Sequence, residues 1–267
     1  MNKIVSDSVR VGDTDMYYIA AGSGDRALIV LPGLSDGFVT VKGKGMLLAY
    51  PYKPFFKEFR VYMFSRKNNM PKEGYSIKDM ADDQVLAMKE LGISKACVLG
   101  VSEGGMIAQY IAINHPEVVD KLILAVTTPY ANTTVTSAVT GWLDMARHDD
   151  YKSIMIDTAE KMYTEEHLSK GRRTIPLVTM FTKPKNYDRF FVNANAILDF
   201  DARSELNKII CPTLIISGDN DKTVGNDGPK DFTAGIADCQ VYVYKGYGHG
   251  IHEECKDFYT RVYEFCK

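Results

Sequence analysis

The chain alternates between two hydrophobic patterns. Continuous apolar runs at Ala27–Leu31 and Leu122–Val126 predict strands buried on both faces. Further strands are predicted at Met16–Ala20, Arg60–Phe64, Ala96–Leu99, Pro212–Ser217 and Gln240–Tyr244. Between these runs the apolar positions recur at helical spacing. Ile77, Met80, Val85, Met88 and Leu91 make one face of a helix that starts at Ser76, with Asp79 completing a capping box and Gly92 ending it. A second helix carries Met106, Ile107, Tyr110 and Ile111 and closes at Pro116, and a terminal helix is predicted from about Ile251 to Cys266. Strand and helix in alternation predict an α/β fold: a mostly parallel central sheet flanked by helices.

The alternation stops at Thr127 and resumes near Arg203. The intervening stretch has no clean buried strand. It has amphipathic helical patterns around Val139–Met145, Tyr151–Met162 and Asp188–Leu198. We read residues 128–202 as an inserted helical cap, with 1–127 and 203–267 forming the core. Trp142, Met145, Met155, Met162, Tyr163, Met180, Phe181, Phe190 and Phe191 are scattered through the cap. Most are expected to pack the cap itself, and the rest to line a pocket facing the sheet.

Composition narrows the partners. With 45% hydrophobic and 25% charged residues the chain has ordinary globular composition. A net charge of -2 and the absence of a Lys/Arg run argue against nucleic acid or an anionic membrane surface as partner. Met1–Arg10 is polar, so no signal peptide is expected, and no stretch approaches the roughly 20 apolar residues of a membrane span. The five cysteines are scattered and odd in number, which argues against a disulfide framework and for a cytoplasmic setting.

The candidate chemistry lies just past the strand ends. Gly100-Val101-Ser102-Glu103-Gly104 joins the strand at 96–99 to the helix after it, the context in which Gly-x-Ser-x-Gly forms a tight turn that projects its serine. Gly100 and Gly104 are read as places where a Cβ would clash as helix folds over strand. The alternative is an ordinary turn with Ser102 as helix N-cap. The strand at 212–217 runs into an acidic loop holding Asp219 and Asp221, and the last strand runs into Gly248-His249. In a parallel sheet these ends share one edge, where open α/β sheets place their sites. A serine hydroxyl needs a base, the imidazole base needs a carboxylate, and the resulting oxyanion needs backbone N–H donors. The N–H of Glu103 at a helix start and that of Leu34, after Pro32-Gly33, are the candidates. His252 competes with His249 as base but falls inside the terminal helix. Neither His249-Gly250-Ile251-His252-Glu253 nor Gly43-Lys44-Gly45 has the spacing of a metal or phosphate motif, so no metal and no cofactor is expected.

In these features the chain resembles the α/β-hydrolase superfamily over nearly all its length. The chain order Ser, Asp, His is that family's, and Gly100–Gly104 is similar to its nucleophile elbow. Gly218-Asp219-Asn220-Asp221 resembles its acid loop, which implies Asp221 rather than Asp219 as the acid. Gly248-His249 matches its histidine loop. Leu31-Pro32-Gly33-Leu34 stands in the place of its oxyanion loop, with Pro32 where His is usual. Glu103 is an unusual neighbour for the nucleophile. Its carboxylate is expected to face solvent, the alternatives being to act on His249 or to bind a polar substrate group.

The resemblance implies a triad of Ser102, Asp221 and His249 with Leu34 and Glu103 as oxyanion donors. It implies a serine hydrolase that cleaves a carboxylic ester, lactone or thioester of a small to medium, largely apolar substrate through an acyl-enzyme on Ser102. Alternatives on the same fold are a small-molecule receptor with slow or no turnover, a C–C bond hydrolase, an acyltransferase, or an aminopeptidase. The last would need a carboxylate cluster in the cap to hold an α-amino group; Glu165-Glu166 is the adjacent acidic pair that could try, and it reads as a solvated helix face.

Overall fold

The alternation of strand and helix is realised as one eight-stranded sheet. The computed structural model describes residues 4–171, 179 and 182–267. The strands are β1 (Val5–Val11), β2 (Thr14–Ala21), β3 (Arg26–Leu31), β4 (Phe59–Lys67), β5 (Ala96–Val101), β6 (Val119–Ala125), β7 (Thr213–Gly218) and β8 (Cys239–Tyr244). They lie in the order β1-β2-β4-β3-β5-β6-β7-β8. β1 and β2 pair antiparallel with their neighbours and all the rest is parallel. The central strands β5 and β7 are buried throughout, as continuous apolar runs require. Two apolar clusters, one on each sheet face, hold the helices against it.

Two elements differ from the sequence reading. β1 is a strand that the pattern conceals. Ser6, Asp7 and Ser8 do not alternate with apolar residues, and burial reaches it only at Val9 and Val11. It is held instead as the edge of a hairpin whose turn has Gly12 at φ +59, a conformation that favours glycine. The terminal helix is broken. Ile251–Glu254 and Phe258–Cys266 are separate, because Cys255 is extended at ψ 113. The first piece is drawn away by its own side chains: Tyr163 Oη donates to Glu253, and Thr164 donates to Glu254.

The helices α1 (Gly45–Ala49), α2 (Ile77–Glu90) and α3 (Glu103–Asn114) connect the first strands. The capping box on α2 is formed in both directions between Ser76 and Asp79. Between β6 and β7 come α4 (Thr133–Arg147), α5 (Tyr151–Met162), α6 (Glu165–Gly171) and α7 (Asp188–Leu198). Asn132 and Asp150 cap α4 and α5. α7 packs on the 3-10 turn Leu34–Gly37 that follows β3, with Phe38 stacked on Phe190 at 4.4 Å. The inserted helices therefore rest on the carboxyl edge of the sheet. Met180 and Phe181 lie outside the described residues. No described helix is long and apolar enough to cross a membrane, and the five cysteines are free.

Candidate active site

Ser102 follows β5 directly, in a conformation that side-chain-bearing residues rarely adopt: φ 57, ψ -121. Main-chain bonds hold the strain. The Ser102 N–H donates to Ala125 O at 2.9 Å, and Ser102 O accepts from Thr127 Oγ1 at 2.8 Å. The glycines explain why the turn is so tight. A Cβ at Gly104 would lie 2.0 Å from Leu31 O, and one at Gly100 would lie 2.3 Å from Gly104 O. Gly105, which the motif reading passed over, is as confined: its Cβ would meet the Thr127 side chain at 2.6 Å. Ser102 does not act as a side-chain N-cap for α3. Gly104→Ala is expected to destabilise the protein by about 2–3 kcal/mol, lowering the melting temperature by about 5–10 °C in a thermal melt.

His249 and Asp221 meet in a buried pair, with Asp221 Oδ2 2.8 Å from His249 Nδ1. The other carboxylate oxygen accepts two backbone N–H groups, Thr223 at 2.8 Å and Val224 at 2.9 Å. Asp219 is used differently: its Oδ1 accepts the Gly246 N–H at 2.6 Å and so ties the two loops together at the surface. His252 faces Glu253 at 3.5 Å and lies in the short helix Ile251–Glu254. Glu253 is exposed where Asp221 is buried, although both imidazoles border the same cavity.

That cavity, about 310 Å³, is bordered by Ser102, His249, Gly33 and Leu34 below and by α4, α5 and α7 above. Gly33 approaches the nucleophile position closely, since a Cβ there would lie 3.1 Å from Ser102 Cβ. Leu34 and Glu103 are each the first residue of a helical turn, the 3-10 turn Leu34–Gly37 and α3. The N–H groups of such residues have no acceptor within their own turn and are left for something else. Trp142, Met155, Met162, Tyr163 and Phe190 all border the cavity, so the expectation that most such residues only pack the cap is corrected. Packing and lining are not exclusive: Phe190 is fully buried and still forms part of the wall.

The Glu103 side chain is also corrected. It is fully buried rather than facing solvent, turns away from the cavity, and meets Arg66 Nη2 at 3.0 Å. Burial raises its carboxyl above the usual range, against the opposing pull of the Arg66 charge. Arg66 is itself fully buried. Arg66, Asp36 and Arg189 escaped the sequence reading. The available sign is an arginine near the end of β4, two residues past its apolar run Val61–Phe64.

A sequence profile described as the alpha/beta hydrolase fold matches residues 56–255. The "AB hydrolase superfamily protein YisY" of Bacillus subtilis is 29% identical over 200 residues, covering 72% of this chain and 73% of its own. A "2-hydroxy-6-oxononadienedioate/2-hydroxy-6-oxononatrienedioate hydrolase" of a Pseudomonas species is 23% identical, covering 97% and 91%. Among solved structures the enol-lactonase of Burkholderia xenovorans LB400 superposes with a TM-score of 0.81 at 21% identity, covering 97% of this chain and 99% of its own. At that identity the superposition shows a shared fold.

Proposed function

The chain belongs to the alpha/beta-hydrolase fold family, and on that premise we propose that it is a serine hydrolase of carboxylic esters, lactones or thioesters. One observation carries the reading. A serine in a strained turn and an imidazole already paired to a buried carboxylate open onto one mainly apolar cavity. In this reading His249 takes the Ser102 proton at Nε2 while its Nδ1–H donates to Asp221 Oδ2. Ser102 Oγ then attacks the carbonyl, and the Leu34 and Glu103 N–H groups hold the oxyanion. The tetrahedral centre collapses by expelling the alcohol or thiol, which takes the proton from His249. Water, activated by the same imidazole, then releases the acid and restores Ser102.

The wall argues for the substrate class. Trp142, Ile154, Met155 and Phe190 offer apolar surface, and no Lys or Arg occurs among the described lining residues, so a dicarboxylate would find no such cation. For that reason we place ester or lactone cleavage ahead of the C–C bond cleavage considered from sequence. A cavity at the small end of the ~300–1,000 Å³ range of ligand pockets suits acyl groups of about two to six carbons. The test is labelling by a fluorophosphonate together with turnover of p-nitrophenyl esters of rising acyl length. Stoichiometric labelling at Ser102 with repeated turnover is the expected result. Labelling or ligand-induced thermal shift with one turnover or none would favour the receptor reading. Met155→Trp narrows the wall and is expected to slow the longest accepted ester by about tenfold or more while acetate hydrolysis changes little, as for a lost methylene-sized space.

A further inference from the structure

Beneath the candidate oxyanion site lies a compact group of charges that the triad does not use. Arg66 and Glu103 are 0% exposed, and Asp36 is 2% exposed. One nitrogen, Arg66 Nη2, contacts Glu103 Oε2 at 3.0 Å and donates to Pro32 O at 2.8 Å. Pro32 O belongs to the loop that presents Leu34, and Glu103 is the first residue of α3, whose N–H has no acceptor within the helix. The Arg66 N–H donates to Asp36 Oδ2 at 2.9 Å, within the same 3-10 turn that Leu34 opens. Arg189 from α7 closes the group, donating to Asp36 Oδ2 at 2.6 Å and to the carbonyls of Asp36, Arg66 and Lys67.

This arrangement is poorly suited to stability alone. Buried ion pairs are often no better than apolar residues of the same shape, because desolvation offsets their attraction. Among the described residues, moreover, Arg66 Nε and Nη1, Asp36 Oδ1 and both Glu103 carboxylate oxygens have no hydrogen-bond partner, so the Arg66–Glu103 contact is an ion pair. What the group does achieve is geometric. A single guanidinium nitrogen ties together the two turns that offer the proposed oxyanion donors, which come from different strands and are far apart in sequence.

We propose that Arg66 and Glu103 are a buried positioning pair that sets the distance between the Leu34 and Glu103 N–H groups, and hence the fit of the oxyanion hole. The inference rests on reading Ser102 as the nucleophile. Neither side chain touches substrate, since neither borders the cavity. They act through the backbone they hold, and Asp36–Arg189 extends that hold to the helices above the site.

The test compares wild type, Glu103→Gln and the double variant R66M/E103M, each assayed below its melting temperature and per folded molecule. Fluorophosphonate labelling of wild-type Ser102 comes first: without it the nucleophile reading fails, and this inference is overturned with it. Given labelling, Glu103→Gln is expected to lower kcat about 10- to 100-fold with KM changed less than about threefold, since misplacing a donor by about an ångström costs on that order. A trifluoromethyl ketone should lose affinity in the same proportion as kcat/KM, while ester binding to the same variant on a Ser102→Ala background stays unchanged. R66M/E103M removes both charges together, so it is expected to fold and still to show the kcat loss. Wild-type kcat in either folded variant, or an equal loss of ester binding and of ketone binding, overturns the proposal and leaves the pair a packing feature.

Discussion

Ser102→Ala is expected to lower kcat for p-nitrophenyl ester hydrolysis about 10⁴- to 10⁶-fold, to the residual rate that binding and oxyanion contacts alone support. The fold should survive. What fixes residue 102 is its main chain, through Ala125 O and Thr127 Oγ1, and alanine keeps both bonds. Alanine also carries the same Cβ into the same φ 57 conformation, so the strain is neither relieved nor increased. The melting temperature is therefore expected to stay within about 2 °C of wild type, as for a substitution that empties no core. Steady-state kinetics with matched thermal melts check both halves. A variant that hydrolyses esters as fast as wild type would mean that Ser102 is not the nucleophile. The wild-type enzyme should show a burst of p-nitrophenol equal to the enzyme concentration wherever deacylation is slow, and the variant should show none.

The elbow was legible in the sequence because its cause is local and steric. Gly100, Ser102 and Gly104 lie within five residues, and the clash that Gly100 avoids is with Gly104 backbone of the same turn, whereas the clash that Gly104 avoids is with Leu31 at the end of β3 and shows only in the fold. The strand end before Asp221 is legible because the buried strand β7 declares itself as an apolar run, and the one before His249 because β8 is rich in Val and Tyr, although only its Tyr244 is buried. The sequence offers no physical ground for choosing Asp221 over Asp219. Only the folded loop shows Asp221 turned to His249 and Asp219 turned to Gly246. Glu103 was misread because its fate depends on Arg66, a residue on another strand whose guanidinium reaches back beneath α3. A carboxylate directly before Gly104-Gly105 reads as a turn residue until its partner is known. The same limit applies to the cavity. Helical periodicity located α4, α5 and α7, but the side chains that wall the site are chosen by how those helices lie on the sheet edge. β1 was lost for the opposite reason, since an edge strand needs only two buried residues to hold its place.

Asp221→Asn is expected to lower kcat about 10³- to 10⁴-fold, whereas Asp219→Asn should change it less than about threefold. The geometry decides how an asparagine at 221 must face. Oδ1 accepts the N–H groups of Thr223 and Val224, and only a carbonyl oxygen can keep both bonds. The new amide NH₂ is thereby turned toward His249 Nδ1, the position that Oδ2 holds at 2.8 Å. An NH₂ donates, so Nδ1 must become the acceptor and the ring proton moves to Nε2. The imidazole then presents a proton to Ser102 where it needs a lone pair, and it cannot act as base. Shape and packing are almost unchanged, so the loss should fall on kcat with the melting temperature nearly intact. Asp219→Asn is different in kind. Its oxygen still accepts the Gly246 N–H at the protein surface, and nothing in that bond orients an imidazole. Kinetics on the two variants therefore separate acid from turn residue. A large loss in Asp219→Asn with little change in Asp221→Asn would reassign the carboxylate. It would also require the His249–Asp221 pair to be structural, because a single imidazole Nδ1–H cannot be fixed by both residues.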